Sequence, residues 1–371
     1  LCLTLENFEM KKTLVAIAAL AVVGAVSAQS TVTLYGKIDA AVANRTEKTA
    51  GVKTAAGNVG AEVNSSSQNG SRWGLKGSED LGGGLKAVFL LESAISVDTG
   101  ASTGFTRQAY AGLTGGFGSV TAGRQYNPYD NLLSAYDPHG ATGSSALGYT
   151  FSAGGGLTAG AAAAWGDAKA VNGFHADATR TSNSLRYATP AMGGFSAEAM
   201  WAPGENKNSV NGTDAGRYYA LRADYNNGPL GVGLAYESTK RTGAANTADT
   251  NKAWALGAQY DLGVAKLYGI YERAENTGTN AAFANGKDRG WGVGASIPVG
   301  AATLGVSYAR EKNTAAGAAV DGEVKAFGAQ LIYPLSKRTR LYTSYLNGKS
   351  TTAANVETKN TALNFGMQHD F

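Results

Sequence analysis

Sulfur and imidazole are almost missing from this chain: 371 residues hold one cysteine and three histidines. The cysteine, Cys2, stands in a short stretch before Met10, which reads as an upstream extension over residues 1–9. Without it there is no disulfide and no thiol chemistry. His139, His175 and His369 have no partner at ligand spacing, and His-Glu-x-x-His does not occur, so neither a metal centre nor a cofactor is expected. Gly77 and Gly82 loosely imitate a phosphate loop, but Lys86 is displaced and no strand-to-helix context surrounds it. A serine-based catalytic set has nothing in its favour, and no catalytic residue is expected.

Long apolar runs are also scarce. The only one, Leu14–Val26, follows Met10-Lys11-Lys12 and precedes Val26-Ser27-Ala28. A basic start, a short apolar core and small residues at a cut site read as an export signal over residues 10–28. The run is too short for the ~20 residues of a spanning helix. Residues 29–371 then carry 30 basic and 26 acidic side chains, an excess too slight and too dispersed for nucleic acid.

Period-two alternation is what the chain has in abundance. Val32, Leu34, Ile38 and Val42 share one face of a strand, and Thr33, Tyr35, Lys37 and Asp39 the other. Tyr219, Leu221, Ala223 and Tyr225 oppose Tyr218, Arg222 and Asp224. Trp254–Leu262, Phe327–Leu335 and Leu363–Phe371 repeat the pattern. A soluble sandwich alternates too, but toward a dry core. Here the polar face carries charge on strand after strand, and the apolar face carries aromatics near strand ends. That combination predicts an all-β, transmembrane antiparallel barrel with a wet interior.

The connections alternate in length. Tight turns are expected at Gly82-Gly83-Gly84, Gly115–Gly118, Asn226–Pro229, Gly263 and Ser336-Lys337-Arg338. Long polar loops are expected at 43–69, 204–216, 239–251, 275–288, 312–323 and 348–359. Strand centres fall near residues 36, 74, 90, 110, 122, 185, 198, 221, 234, 258, 269, 294, 306, 329, 343 and 367, which makes 16 strands. One interval breaks the rhythm. The 54 residues 126–179 are too many for an ordinary connection and suggest a long loop folded into the lumen. A further hairpin, Leu147–Ser152 with Leu157–Ala164, would raise the count to 18 and ranks lower.

Several segments together resemble the general diffusion porins of Gram-negative outer membranes, of the betaproteobacterial type. They are Thr33-Leu34-Tyr35-Gly36, Ser71–Ala87, Ala122-Gly123-Arg124-Gln125, Asn183–Tyr187, Tyr333–Thr339 and Phe371. The resemblance implies a homotrimer in outer-membrane lipid and lipopolysaccharide, and a third external loop folded inward. It also implies an aqueous pore and an assembly signal at Phe371, through which the barrel assembly machinery would act. In such porins the basic cluster at the narrowest point corresponds to Arg72, Arg107 and Arg180, with Glu92 beside it. The facing acids on the inward loop would be Asp130 or Asp137.

Alternation adds Lys37, Lys76 and Arg186 as charges expected to face the lumen, and Arg124 is expected to join them. Energy supports inward arginines: each one facing lipid at midplane costs ~2–4 kcal/mol, so three would cost ~6–12. The expected function is a passive, mildly anion-preferring channel rather than an enzyme. A lipid-hydrolysing barrel and a plugged adhesin barrel are the rivals.

Overall fold

The computed structural model describes residues 30–53, 60–140, 145–151, 179–204, 206–208, 213–215, 217–242, 248–277, 286–314, 322–351 and 355–371. The export signal expected at 10–28, the extension 1–9, His175 and most of segment 126–179 beyond Phe151 lie outside the described residues.

The described chain is nearly all strand: β1 (Thr31–Thr49), β2 (Val52–Lys53), β3 (Ala61–Ser65), β4 (Arg72–Gly82), β5 (Leu85–Ala94), β6 (Gln108–Gly115), β7 (Gly118–Tyr126), β8 (Arg180–Ala188), β9 (Phe195–Ala202), β10 (Asn206–Asn208), β11 (Thr213–Ala215), β12 (Tyr218–Asn227), β13 (Leu230–Thr242), β14 (Ala248–Asp261), β15 (Lys266–Thr277), β16 (Lys287–Val299), β17 (Ala302–Thr314), β18 (Gly322–Pro334), β19 (Thr339–Thr351) and β20 (Glu357–Asp370). Sixteen of these are staves of one barrel, namely β1, β4–β9 and β12–β20. Each expected strand centre falls inside one of them. The short β2 and β3 pair onto the outer part of β1, and β10 with β11 forms a separate hairpin.

All neighbouring staves run antiparallel, and β1 pairs with β20 from Lys37↔Asp370 to Thr49↔Thr358. This closes the sheet and leaves no edge for another chain to extend. The turn after β4 shows why its residues are glycine. Gly82, Gly83 and Gly84 have φ of 85°, 61° and 81°, a left-handed region that a Cβ disfavours.

Burial is inverted relative to a soluble protein. Leu34, Leu221 and Phe365 are 58%, 60% and 57% exposed, whereas Asp39 and Gln368 are 0% exposed. The apolar rows therefore form an outer band and the polar rows line the inner wall, as a lipid solvent requires. No described helix is long and apolar enough to cross a membrane, which says nothing about a barrel.

Two corrections concern segment length and type. The 18-strand alternative fails because Ala146–Phe151 is helical, not the first strand of a hairpin. The outer loops are also shorter than expected. β13 continues to Thr242, β17 to Thr314 and β19 to Thr351, well into the segments read as loop. Both faces of these outer ends are polar, so alternation of hydrophobicity vanishes there while strand pairing continues.

The described start of segment 126–179 lies on the polar face of the wall. Its helix, Pro128–Ala135, is opened by Asn127, whose side chain accepts from the Asp130 backbone N–H at 2.7 Å, with Pro128 in the first turn. Leu132, Tyr129, Tyr136 and Leu147 pack against Ala235, Ala255, Ile270 and Ala309 in a small dry patch. The wall makes room for them with glycine. A Cβ on Gly257 would come within 2.4 Å of the Tyr136 ring, and one on Gly294 within 2.5 Å of Pro138.

Candidate functional site

The basic cluster is assembled on the short staves. Arg72 lies at the start of β4, directly across from Ala94 at the end of β5. Glu92 occupies the inner row of β5, paired with Gly74, where only a glycine leaves space for the Tyr35 ring. Arg107 precedes β6, and its backbone N–H donates to the Glu92 carbonyl at 3.1 Å. Arg180 opens β8 opposite Tyr126, the last residue of β7.

Glu92 is the hub. Arg107 Nε donates to its Oε1 at 2.8 Å, and Arg72 Nε lies 3.4 Å from its Oε2. The Tyr35 hydroxyl donates to the same Oε2 at 3.0 Å. Arg72 also donates to the Gly70 carbonyl at 3.2 Å. Sharing one carboxylate between two guanidinium groups leaves a net positive charge at this place in the wall.

A second link joins Arg107 to Arg180. Arg107 Nη2 donates to the Tyr126 hydroxyl at 2.8 Å, and Arg180 Nη2 donates to the same oxygen. The Arg180 guanidinium carbon also sits 4.2 Å from the Tyr126 ring centroid, a cation–π stack. Tyr126 thus holds two like charges together without neutralising either. Sequence reasoning missed its role, although it placed Tyr35 on the polar face.

Of the two loop acids expected to face the arginines, Asp130 lies in the first turn of the loop helix, its backbone N–H held by the Asn127 side chain. Asp137 has a different role. Its Oδ1 accepts from the His139 backbone N–H at 2.9 Å, and its Oδ2 accepts from the Ser145 hydroxyl. It staples the turn between the two helices.

The remaining expected lumen charges scatter. Lys37 pairs with Asp370 at 3.2 Å, which Arg340 also contacts at 2.7 Å. Arg186 pairs with Glu198 at 2.9 Å, and Asn131 of the loop helix donates to that same carboxylate at 3.4 Å. Lys76 lies 5.2 Å over the Tyr35 ring. Arg124 donates to the Thr106 carbonyl and, at 2.7 Å, to the Ser182 hydroxyl. A register slip between Gly123 and Gln125 disturbs the alternation there, and Gln125 is the buried residue beside it.

Opposite the arginines the wall is acidic. Glu237, Glu272, Asp288 and Glu311 are each about 1–2% exposed, on β13, β15, β16 and β17. Among the sixteen staves β6 is the fourth and β16 the twelfth, so the two groups are diametrically opposed. The loop helix roofs the acids: the Tyr129 hydroxyl donates to Glu272 at 3.2 Å and the Tyr136 hydroxyl to Asp224 at 3.1 Å. Burial, and then the neighbouring carboxylates, push the Tyr129 phenol well above its ordinary range. The signal was legible in Tyr271-Glu272 and Tyr236-Glu237, where an outward ring fixes an inward acid.

Among the described residues no group of acids and histidines has the geometry to hold a metal. A closed barrel with charged inner rows and an aromatic outer band is then the frame for comparison with known proteins. The Gram-negative porin family matches residues 13–353. The chain belongs to that family. It is therefore a passive outer-membrane channel protein of the kind this family comprises, not an enzyme. Outer membrane porin protein 32 of Delftia acidovorans is 33% identical to it, over 98% of this porin and 100% of the relative. An outer membrane porin of Bordetella pertussis is 31% identical over 98% of the chain and 100% of the relative. Among solved structures, the anion-selective porin from Comamonas acidovorans superposes with a TM-score of 0.74 at 31% identity, covering 92% of this porin and all of that one. OmpT of Vibrio cholerae, in a structure described as its trimer form, gives 0.63 at 16% identity, over 92% of this chain and 99% of that one, which shows the shared fold alone.

Proposed function

We propose that this porin is a water-filled channel for small hydrophilic solutes and ions with a mild preference for anions. The observation that carries the reading is the gathering of Arg72, Arg107 and Arg180 around one buried carboxylate and one neutral tyrosine. Excess positive charge in a water-lined, low-dielectric wall raises the local concentration of anions and lowers that of cations. The opposed acids on β13–β17 add a transverse field that orients dipolar solutes. Segment 126–179 folds inward and narrows the pore, a reading supported by the seating of its helix on the polar wall face. Residues 10–28 direct export and are removed. The working form is a homotrimer, surrounded by outer-membrane lipid and lipopolysaccharide and inserted by the barrel assembly machinery acting on the strand that ends in Phe371.

A planar bilayer under a salt gradient tests the central claim. An anion-selective reversal potential is expected. A cation-selective one overturns the charge reading, and absence of conductance overturns the channel reading.

A further inference from the structure

The strand beside β1 is interrupted just before the arginine cluster. Lys37 of β1 pairs with Arg72 of β4, and Ala40 of β1 pairs with Ser65 of β3 on the same edge. The residues Ser66–Ser71 between them stand opposite only Ile38 and Asp39, where an ordinary bulge sets two residues against one. Bulges beside functional sites re-aim a neighbouring side chain, and the residue that follows this one is Arg72.

Asp39 holds the bulge in place. It lies on the inner row of β1 and is fully buried. Its Oδ2 accepts from the Gln68 and Asn69 backbone N–H groups at 3.2 and 2.7 Å, and its Oδ1 accepts from the Tyr342 hydroxyl at 2.6 Å. Tyr342 belongs to β19, two staves away across β20, and its ring fills the place of a side chain at Gly366. The Ser71 hydroxyl accepts from the Asp39 backbone N–H at 2.9 Å and donates to the Asp39 carbonyl at 3.1 Å. Ser66 Oγ accepts from the Ser71 N–H at 2.8 Å, which ties the two ends of the bulge together.

The bulge presents Gly70 to two arginines. Arg72 Nη1 donates to the Gly70 carbonyl at 3.2 Å. A Cβ on Gly70 would come within 2.9 Å of Arg107 Nη1, so that guanidinium rests against the bare Cα. The segment leading from β5 to Arg107 is tied to the same place. Its Ile95 N–H donates to the Ser71 carbonyl at 3.1 Å, and its Val97 N–H to Ser65 Oγ at 3.0 Å. One anchored bulge therefore governs two of the three arginines.

We propose that Asp39 is a positioning residue for ion selectivity, a role that rests on the anion-preferring reading above. It fixes the bulge so that Gly70 aims Arg72 and seats Arg107 at the pore wall. An acid then serves anion preference through geometry. Counting charge alone gives the opposite sign, because removing a carboxylate cannot make the lumen less positive.

Wild-type protein, Asp39→Ala, Asp39→Asn and Gly70→Ala are compared in a planar bilayer under a potassium chloride gradient. Heat-modifiable mobility on a gel checks that each barrel is folded. Asp39→Ala removes both acceptor oxygens, and the chloride-to-potassium permeability ratio is expected to fall about twofold although an acid has been lost. Asp39→Asn keeps one oxygen for the Gln68 and Asn69 N–H groups and turns its amide N–H toward the Tyr342 oxygen. Its ratio should therefore stay at or above the wild-type value. Gly70→Ala changes no charge, and its methyl meets only the flexible end of Arg107. The guanidinium should give way, the barrel should fold, and the ratio should again fall. A ratio that holds or rises in Asp39→Ala overturns the proposal, as does an equal fall in Asp39→Asn or an unchanged ratio in Gly70→Ala. Should Asp39→Ala fail to fold, the other two variants still decide. A wild-type channel that prefers cations sinks the anion reading, while the direction of each variant's shift continues to decide this one.

Discussion

The two halves of the barrel handle charge in opposite ways. On the short staves β4–β9, of 8 to 11 residues, arginines face inward and are held by one carboxylate and one phenol. On the long staves β13–β20, of 12 to 14 residues, the inner wall is acidic and roofed by a helix. The contrast teaches that a porin wall has two electrostatic tasks. Under the proposed reading one half presents charge to moving solutes, and there two guanidinium groups share a single carboxylate. The other half fixes the loop, so its inner charge is covered.

Breaking the short half should give the largest effect. Arg72→Ala with Arg107→Ala leaves Glu92 with Tyr35 and takes the cluster from a net positive charge to neutral, with only Arg180 opposing Glu92. The reversal potential should swing toward cation preference, while the heat-modifiable mobility of the folded barrel on a gel persists. A double variant that keeps wild-type selectivity would place the narrow point elsewhere.

Disturbing the long half should change aperture rather than sign. Gly257→Val puts a branched side chain where even a Cβ meets the Tyr136 ring at 2.4 Å. The overpacking costs about 1–3 kcal/mol, and the helix should lift from its seat. Single-channel conductance should rise with little change in selectivity. An unaltered conductance would show that the helix does not limit the pore.

A subtler change separates charge from its placement. Tyr126→Phe keeps the ring under Arg180 and removes the oxygen that joins Arg180 to Arg107. Hydrogen bonds to charged groups are worth ~1.5–3 kcal/mol, so the two arginines should separate under mutual repulsion. Anion preference should weaken, and the effect should disappear in an Arg180→Ala background. Lys76→Gln should do least. Its contact with Tyr35 is exposed and worth ~0.5–1 kcal/mol, and selectivity should hold within error in the same bilayer assay.

The same contrast explains what could be read from the chain. Strand positions were legible wherever one face met lipid, because outward Leu221 or Phe327 alternates with an inward polar residue. Strand ends were not legible where successive residues are all polar, as from Lys240 to Thr242 or Lys312 to Thr314. The arginine site was legible because Arg72 and Glu92 sit beside Trp73 and Leu91, whose outward direction fixes theirs. The partners of Asp137 were not legible for a related reason. Alternation says nothing inside a loop, and a carboxylate two residues before a backbone N–H is more readily used to hold its own turn. The four acids of the long half lay within reach of parity, but only pairing shows that they share one patch.

Phe371 gives the barrel a hasp. Its backbone N–H donates to the Gly36 carbonyl at 3.1 Å and its carbonyl accepts from Gly36 N–H at 3.0 Å, while its ring occupies the place of the side chain that Gly36 lacks. The lock joins the first stave to the last, two stretches far apart in sequence. Closure of the barrel therefore rests on contacts of the greatest sequence separation, whose loop-closure cost must be met before they can stabilise anything.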